Sequence, residues 1–139
     1  MNREVRLRGL SSDHHRSLVL VRHIRETLSQ GGSESDLCAH VAGHYDAELE
    51  PHFRAEEELL LPQLTSETNR SLAERTFLEH RLLRSQIAAG VASQLDALRA
   101  PADTLEAHVR FEERELYPAC EIVVLETVLD EVALRVPKR

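Results

Sequence analysis

Two segments of the chain repeat one arrangement of histidine, glutamate and proline. The first runs from His52 to Pro62 and reads HFRAEEELLLP, and the second runs from His108 to Pro118 and reads HVRFEERELYP. In each segment a glutamate follows the histidine by four residues, so both side chains share one face of a helix. Histidine and glutamate side chains on facing helices build metal sites in bundle cores. The repeated pair therefore indicates metal binding rather than packing alone.

Helical segments must position these pairs, and the sequence contains four of them. They run from residue 11 to about residue 30, from 33 to 62, from about 71 to 99 and from 101 to 135. Capping serines at positions 11 and 12 and glycines at 31 and 32 are typical of the ends of the first helix. Short connections make neighbouring helices antiparallel. We expect an all-α, up-down-up-down four-helix bundle, with residues 1–139 as a single domain. Pro51 and Pro118 lie inside two helices and predict bends there.

Each predicted helix directs a histidine toward the bundle interior. His14 lies one turn before Leu18, and His80 falls three residues after Phe77, in the apolar series of their helices. The interior polar candidates are His14, His52, Glu56, His80, His108 and Glu112. An uncompensated buried charge costs several kcal/mol, and a metal centre supplies more positive charge in less space than arginines do.

The types of donor restrict the metal. Imidazole and carboxylate without thiolate disfavour a structural zinc site, and imidazole disfavours calcium and magnesium. Iron is favoured, with manganese as its competitor. Two octahedral metals offer about twelve coordination positions, more than six side chains fill. Hydroxide, oxide or another small anion is therefore expected to bridge the metals, and the centre is expected to react with small ligands.

Bulk properties exclude several classes of function. The net charge of −7 argues against a nucleic-acid partner, which requires a clustered positive surface. No apolar run approaches the roughly 20 residues of a membrane span, and the N-terminus lacks the apolar region of a signal peptide. Cys38 and Cys120 are too few for a disulfide framework and are expected in the core. We expect a cytoplasmic protein.

Four stretches in order, SSDHHRSL, HFRAEEELLLP, LEHRLL and HVRFEERELYP, resemble the helix signatures of the hemerythrin-like (HHE cation-binding) domain family. The similarity covers roughly residues 10–124. It implies a four-helix bundle with two non-haem iron ions, for which manganese and zinc are alternatives, and a small ligand such as dioxygen, nitric oxide or peroxide. The ligands that the resemblance implies are His14 (or His15), His52, Glu56, His80, His108 and Glu112, with both glutamates bridging the metals.

One position departs from the pattern of the oxygen-carrying members. They have a second histidine one turn after the third-helix ligand, where this chain has Arg84. The loss argues against reversible oxygen carriage and favours a role in iron handling, sensing of nitric oxide or oxygen, or repair of damaged iron centres. The residues that could replace the missing ligand are His44, Glu48, Tyr45 and Tyr117.

The sequence leaves three functions open. The first is a di-iron protein that binds or senses a small oxidant, and a sensor would need a separate protein partner. The second is an enzyme that reduces peroxide or nitric oxide at the same centre. The third is a metal-free interaction module, which leaves the buried charges uncompensated. The polar residues expected at the surface are His15, His23, His40, Glu57 and Glu58.

Overall fold

The computed structural model describes residues 3–92 and 95–138, which contain helices and turns but no β-strand. The helices are α1 (Arg8–Gln30), α2 (Glu34–His44), α3 (Glu50–Ala55), α4 (Glu67–Ala92), α5 (Arg99–Phe111), α6 (Tyr117–Val123) and α7 (Glu126–Arg135). Three π-turns are π1 (Tyr45–Leu49), π2 (Glu56–Leu60) and π3 (Glu112–Leu116). Turns of 3₁₀ helix lie at Val5–Leu7, Leu61–Gln63 and Leu95–Leu98. No helix in the described ranges is long and apolar enough to cross a membrane.

The four bundle helices pack antiparallel around one core, which confirms the predicted fold class. The first is α1, and the second comprises residues 34–63, from α2 through the last 3₁₀ turn before α4. The third is α4, and the fourth comprises residues 99–123, from α5 through α6. α1 packs against α2 and α5, and α4 packs against the same two helices, so each bundle helix has two neighbours.

The π-turns are linked to the prolines inside the helices. The three i to i+5 hydrogen bonds run from Glu50 N to Tyr45 O, from Leu61 N to Glu56 O and from Tyr117 N to Glu112 O. Each donor residue directly precedes a proline, at positions 51, 62 and 118. Because proline has no N–H to continue the α-helical ladder, the wider turn absorbs the irregularity without breaking the helix. At Pro51 and Pro118, where bends were predicted, the helices therefore contain π-turns.

The ends of the helices agree only partly with the predictions. α1 begins at Arg8, so the prediction that Ser11 and Ser12 start it is wrong. A preceding 3₁₀ turn is capped by Glu4, whose carboxylate accepts a hydrogen bond from Arg6 N. Gly31 ends α1 with φ of 71°, a conformation that glycine adopts without strain.

The fourth bundle helix ends at Val123 rather than near Arg135. Residues 124 and 125 are extended, and α7 folds back against the N-terminal 3₁₀ turn and π2. This reversal buries Leu129 and Val132, and apolar burial is the physical reason for it. The C-terminal segment approaches α1 so closely that a Cβ on Gly9 would lie 1.7 Å from the carbonyl oxygen of Val136.

A polar layer divides the bundle core into two apolar clusters. One cluster, around Leu10, Leu116 and Leu129, is covered by α7, and the other, around Val21, Leu83 and Leu105, fills the opposite half. Phe77 was expected to face inward, but it is 46% exposed and Thr76 takes the buried position. Of the two cysteines, Cys120 is buried as expected, whereas Cys38 is only half-buried.

Candidate metal centre

The polar layer contains all six predicted ligands, and each of their residues is at most 4% exposed. His14 lies on α1, His52 on α3, His80 on α4 and His108 on α5. Glu56 and Glu112 are the first residues of π2 and π3. Since π-turns redirect the side chains that follow α-helical turns, they are common at functional sites. The N–H of each glutamate still bonds to the carbonyl of the histidine four residues earlier, His52 or His108, so the α-helical turn before each π-turn positions the glutamate.

These side chains form two adjacent groups of possible ligands. One group comprises His14, His52, Glu56 and Glu112, and the other comprises Glu56, His80, His108 and Glu112; within each group the ligand atoms lie within 4.8 Å of one another. The structure thus brings together donors for two metal ions, with both carboxylates shared between them.

Each shared carboxylate presents one oxygen to each group. Glu56 Oε2 lies 3.2 Å from His52 Nε2, and its Oε1 lies 3.0 Å from His80 Nε2. Glu112 Oε1 lies 2.8 Å from His14 Nε2, and its Oε2 lies 3.0 Å from His108 Nε2. This division of oxygens is the geometry that two bridging carboxylates require.

The second group contains four buried donor atoms that make no hydrogen bond with the described residues. Its buried donor atoms without a hydrogen-bond partner are Glu56 Oε1, Glu112 Oε2, His80 Nε2 and His108 Nε2. Buried polar atoms are normally paired, so four converging orphans require an explanation. Two ligands bound at about 2.1 Å and at right angles lie about 3.0 Å apart. The measured N–O separations of 3.0–3.4 Å match that spacing, so these residues suit a metal ion.

A ring of four carboxylates orients the four histidines from outside. The Nδ1–H groups of His14, His52, His80 and His108 donate to Glu113 at 2.7 Å, Asp13 at 3.0 Å, Glu57 at 2.7 Å and Glu79 at 2.7 Å, respectively. Each of the first three bundle helices supplies the carboxylate that bonds to the histidine of the next helix. The fourth helix supplies the carboxylate that bonds to the histidine of the first. A carboxylate at Nδ1 leaves the Nε2 lone pair available for a metal. We call Asp13, Glu57, Glu79 and Glu113 the carboxylate ring.

Every member of the carboxylate ring is paired with an arginine on its outer side. Arg16, Arg84, Arg75 and Arg3 contact Asp13, Glu57, Glu79 and Glu113, respectively. Arg84, at the position that departs from the oxygen-carrying pattern, also binds Glu50 at 2.7 Å. The arginines therefore neutralise the outer carboxylates, while the charges of Glu56 and Glu112 remain inside.

The carboxylate ring was missed by the sequence analysis, and Glu57 was wrongly assigned to the surface. Its side chain is only 14% exposed. A signal was available, since each ring acid is adjacent in sequence to a candidate ligand, as Asp13 is to His14 and Glu79 is to His80. The partner of each acid, however, lies on another helix, so sequence adjacency alone does not reveal the contact.

Without a bound cation, protons on the histidines would balance the carboxylate charges of the centre. Burial lowers the pKa of His80, but hydrogen bonds with the surrounding carboxylates outweigh burial and raise this pKa to about 10. The same competition raises the pKa of His108 to about 9. Burial raises the pKa of Glu112, but the adjacent histidines, His108 foremost, hold it well below its usual range. Cations that enter the centre would take the place of these protons.

Tyr117 belongs to the centre, on the side of the first group. Its hydroxyl donates to Glu56 Oε2 at 2.7 Å and lies 3.2 Å from His14 Nε2 and 3.5 Å from His52 Nε2. Burial, together with the charge of Glu56, raises the pKa of this phenol well above its usual value. A neutral hydroxyl thus lies beside the first group, whereas no hydroxyl of the described residues bonds to the four unpaired atoms of the second group.

The other residues considered for the centre lie outside it. His15 is exposed on α1, and Tyr45 donates to Glu50 at 2.6 Å. His44 lies beside Glu48, 3.3 Å away, and Glu48 in turn contacts Arg16. Of the four residues that the sequence offered as replacements for the missing ligand, the structure brings only Tyr117 to the centre.

A family model for the hemerythrin HHE cation-binding domain matches residues 7–120. No curated protein and no solved structure gives a significant match. The matched range includes the first three bundle helices, all but the last three residues of the fourth, and every residue of the two ligand groups. The chain therefore belongs to the hemerythrin HHE cation-binding domain family.

Proposed function

We propose that this protein is a di-iron protein whose centre binds a small oxidant, such as dioxygen, nitric oxide or peroxide, for sensing, iron handling or repair. The six residues that would hold the irons are His14, His52, Glu56, His80, His108 and Glu112. Iron is favoured over manganese and zinc because imidazole–carboxylate sites in helical bundles suit it. When bound, such ions supply redox chemistry toward small oxidants.

The four orphaned donor atoms of the second group carry this proposal. Each metal position has two nitrogen and two carboxylate donors, which leaves about two positions of an octahedron free. The Tyr117 hydroxyl lies among the donors of the first group, so the second group is the more open side for a small ligand. Reversible oxygen carriage is disfavoured, since Arg84 binds outer carboxylates and adds no imidazole.

Metal content tests the proposal directly. We expect two irons per chain after anaerobic reconstitution with ferrous iron and near-ultraviolet absorption after aeration. Glu56→Ala or Glu112→Ala should each lose at least one iron, because each removes a donor from both groups. Glu58→Ala is the matched control, since Glu58 lies in the same π-turn but is 56% exposed and pairs with Arg135. Retention of two irons by either glutamate variant would contradict the bridging roles.

Tyr117 supports a second candidate function, in which the same centre is that of an enzyme. Reduction of peroxide or nitric oxide consumes protons, and the Tyr117 hydroxyl holds one within the donors of the first group. Turnover of peroxide or nitric oxide well above that of free iron would show that the protein is an enzyme. Loss of this turnover in Tyr117→Phe, with both irons retained, would show that the Tyr117 hydroxyl donates the proton. A metal-free interaction module is disfavoured, because it gives no reason to bury four imidazoles and two carboxylates in one layer of the core.

A further inference from the structure

The four histidines outside the metal centre border one groove. The chain has eight histidines, and the four that are not in the centre are His15, His23, His40 and His44. All four line an open cavity of about 540 Å³ between α1 and α2. We call it the histidine groove. None of these side chains belongs to either ligand group of the centre.

Two of the groove histidines have the spacing of a ligand pair. The ring centroids of His23 and His40 lie 4.9 Å apart, with an interplanar angle of 64°. The pairs within the metal centre are almost identical, at 4.8 Å for the pair in the first group and 4.9 Å for the pair in the second. Two imidazoles bound at about 2.1 Å to one tetrahedral or octahedral ion have centroids roughly 4.6–5.3 Å apart. The centroid separation of the His23–His40 pair lies within that range.

His44 has the local environment of the ligating histidines. Its side chain is 10% exposed, its Nδ1 lies 3.3 Å from Glu48 Oε2, and its Nε2 has no hydrogen-bond partner among the described residues. Each histidine of the metal centre likewise has Nδ1 beside a carboxylate and Nε2 directed to the site. A carboxylate at Nδ1 keeps the proton there and leaves Nε2 as a donor. Glu48 is itself held by Arg16, so the arrangement repeats the histidine–carboxylate–arginine series of the core.

We propose that the histidine groove is a third metal site, separate from the core, in which the His23–His40 pair binds a divalent first-row transition metal ion. The donor atoms of His23, His40 and His44 do not all lie within 4.8 Å of one another, so His44 joins as the third ligand through a change of side-chain rotamer. Imidazole donors suit zinc, nickel and copper and disfavour calcium and magnesium. His40 and His44 lie one turn apart on α2, the spacing with which two histidines of one helix face chelate a metal. An anion is disfavoured, because Arg16 is already paired with Asp13 and Glu48 and the carboxylate of Glu48 borders the groove.

The test is equilibrium dialysis of the iron-reconstituted protein against zinc, with iron and zinc both counted per chain. We expect one zinc in addition to the core metals. His23→Gln/His40→Gln should abolish this zinc and leave the core metals in place, and His44→Gln should weaken its binding about tenfold or more. His15→Gln is the matched control, since His15 is an exposed histidine of the same groove but is not one of the proposed ligands, and it should retain the zinc. Magnesium in excess should not compete.

Three outcomes would overturn the proposal: zinc uptake matched by an equal loss of iron, unchanged zinc binding in His23→Gln/His40→Gln, or equal losses in the control and the double variant. His23 and His40 are exposed, so the double variant should keep the wild-type melting temperature even if His44→Gln folds poorly. The readout is the difference in bound zinc per chain between the wild type and the double variant, compared when both contain the same amount of core metal. It therefore separates failure of the groove site from failure of the core site.

Discussion

The carboxylate ring leads to a quantitative prediction for Glu79→Gln. Glu79 Oε1 accepts the Nδ1–H of His108 at 2.7 Å, and the amide of glutamine can keep that hydrogen bond while removing the charge. Adding the width of an imidazole and a metal–nitrogen bond of about 2.1 Å places the carboxylate roughly 6.5 Å from the metal. A unit charge and a divalent ion at that distance interact by about 1.3 kcal/mol at a dielectric of 80 and about 5 kcal/mol at 20.

The expected loss lies toward the lower end of that range. Glu79 is 23% exposed and also pairs with Arg75, so solvent and the arginine screen its charge. We expect a loss of about 2 kcal/mol, or about 30-fold in affinity, for the metal of the second group. This affinity is measured by competition with a chelator, in which the two metal ions are released in two separate steps. Glu74→Gln is the control, because Glu74 is exposed on the same helix. Equal affinities in the two variants would refute the role assigned to the carboxylate ring.

Three further predictions concern the protons, the phenol and the close contact at Gly9. With the pKa of His80 raised to about 10 and that of His108 to about 9, stability gained from their protonation is complete below about pH 6.5. The metal-free protein should therefore lose stability in denaturant melts as pH rises from about 6.5 to about 10, whereas metal binding should release protons in calorimetry. Tyr117→Phe removes a donor to buried Glu56 and should destabilise the metal-free protein by about 1–3 kcal/mol; an unchanged melt would contradict that contact. Gly9→Ala should cost about 1–3 kcal/mol or more because its Cβ would clash with the Val136 backbone, whereas Gly43→Ala, with open space around it, should be neutral or stabilising in the same assay.

Local patterns in the sequence were sufficient for the fold class and for the candidate ligands. Helix periodicity, the glycine at the end of α1 and the repeated histidine–glutamate pair depend on residues a few positions apart. Such short-range relations predicted the bundle and led to the six residues that the structure brings together. The same reasoning could not decide between His14 and His15, because the helical phase is poorly determined near the start of a helix. Packing buries the first and exposes the second.

Tertiary structure decided the features that join different helices. The carboxylate ring pairs acids and histidines at least 23 residues apart in the chain, and no local pattern contains those contacts. The reversal before α7 follows from apolar surface at the end of the bundle, which exists only after the helices have packed. The histidine groove likewise joins residues of α1 and α2, and three of them, His15, His23 and His40, had been expected at the surface. Sequence determined which side chains share a helix face, whereas the packing of the faces determined which of them meet.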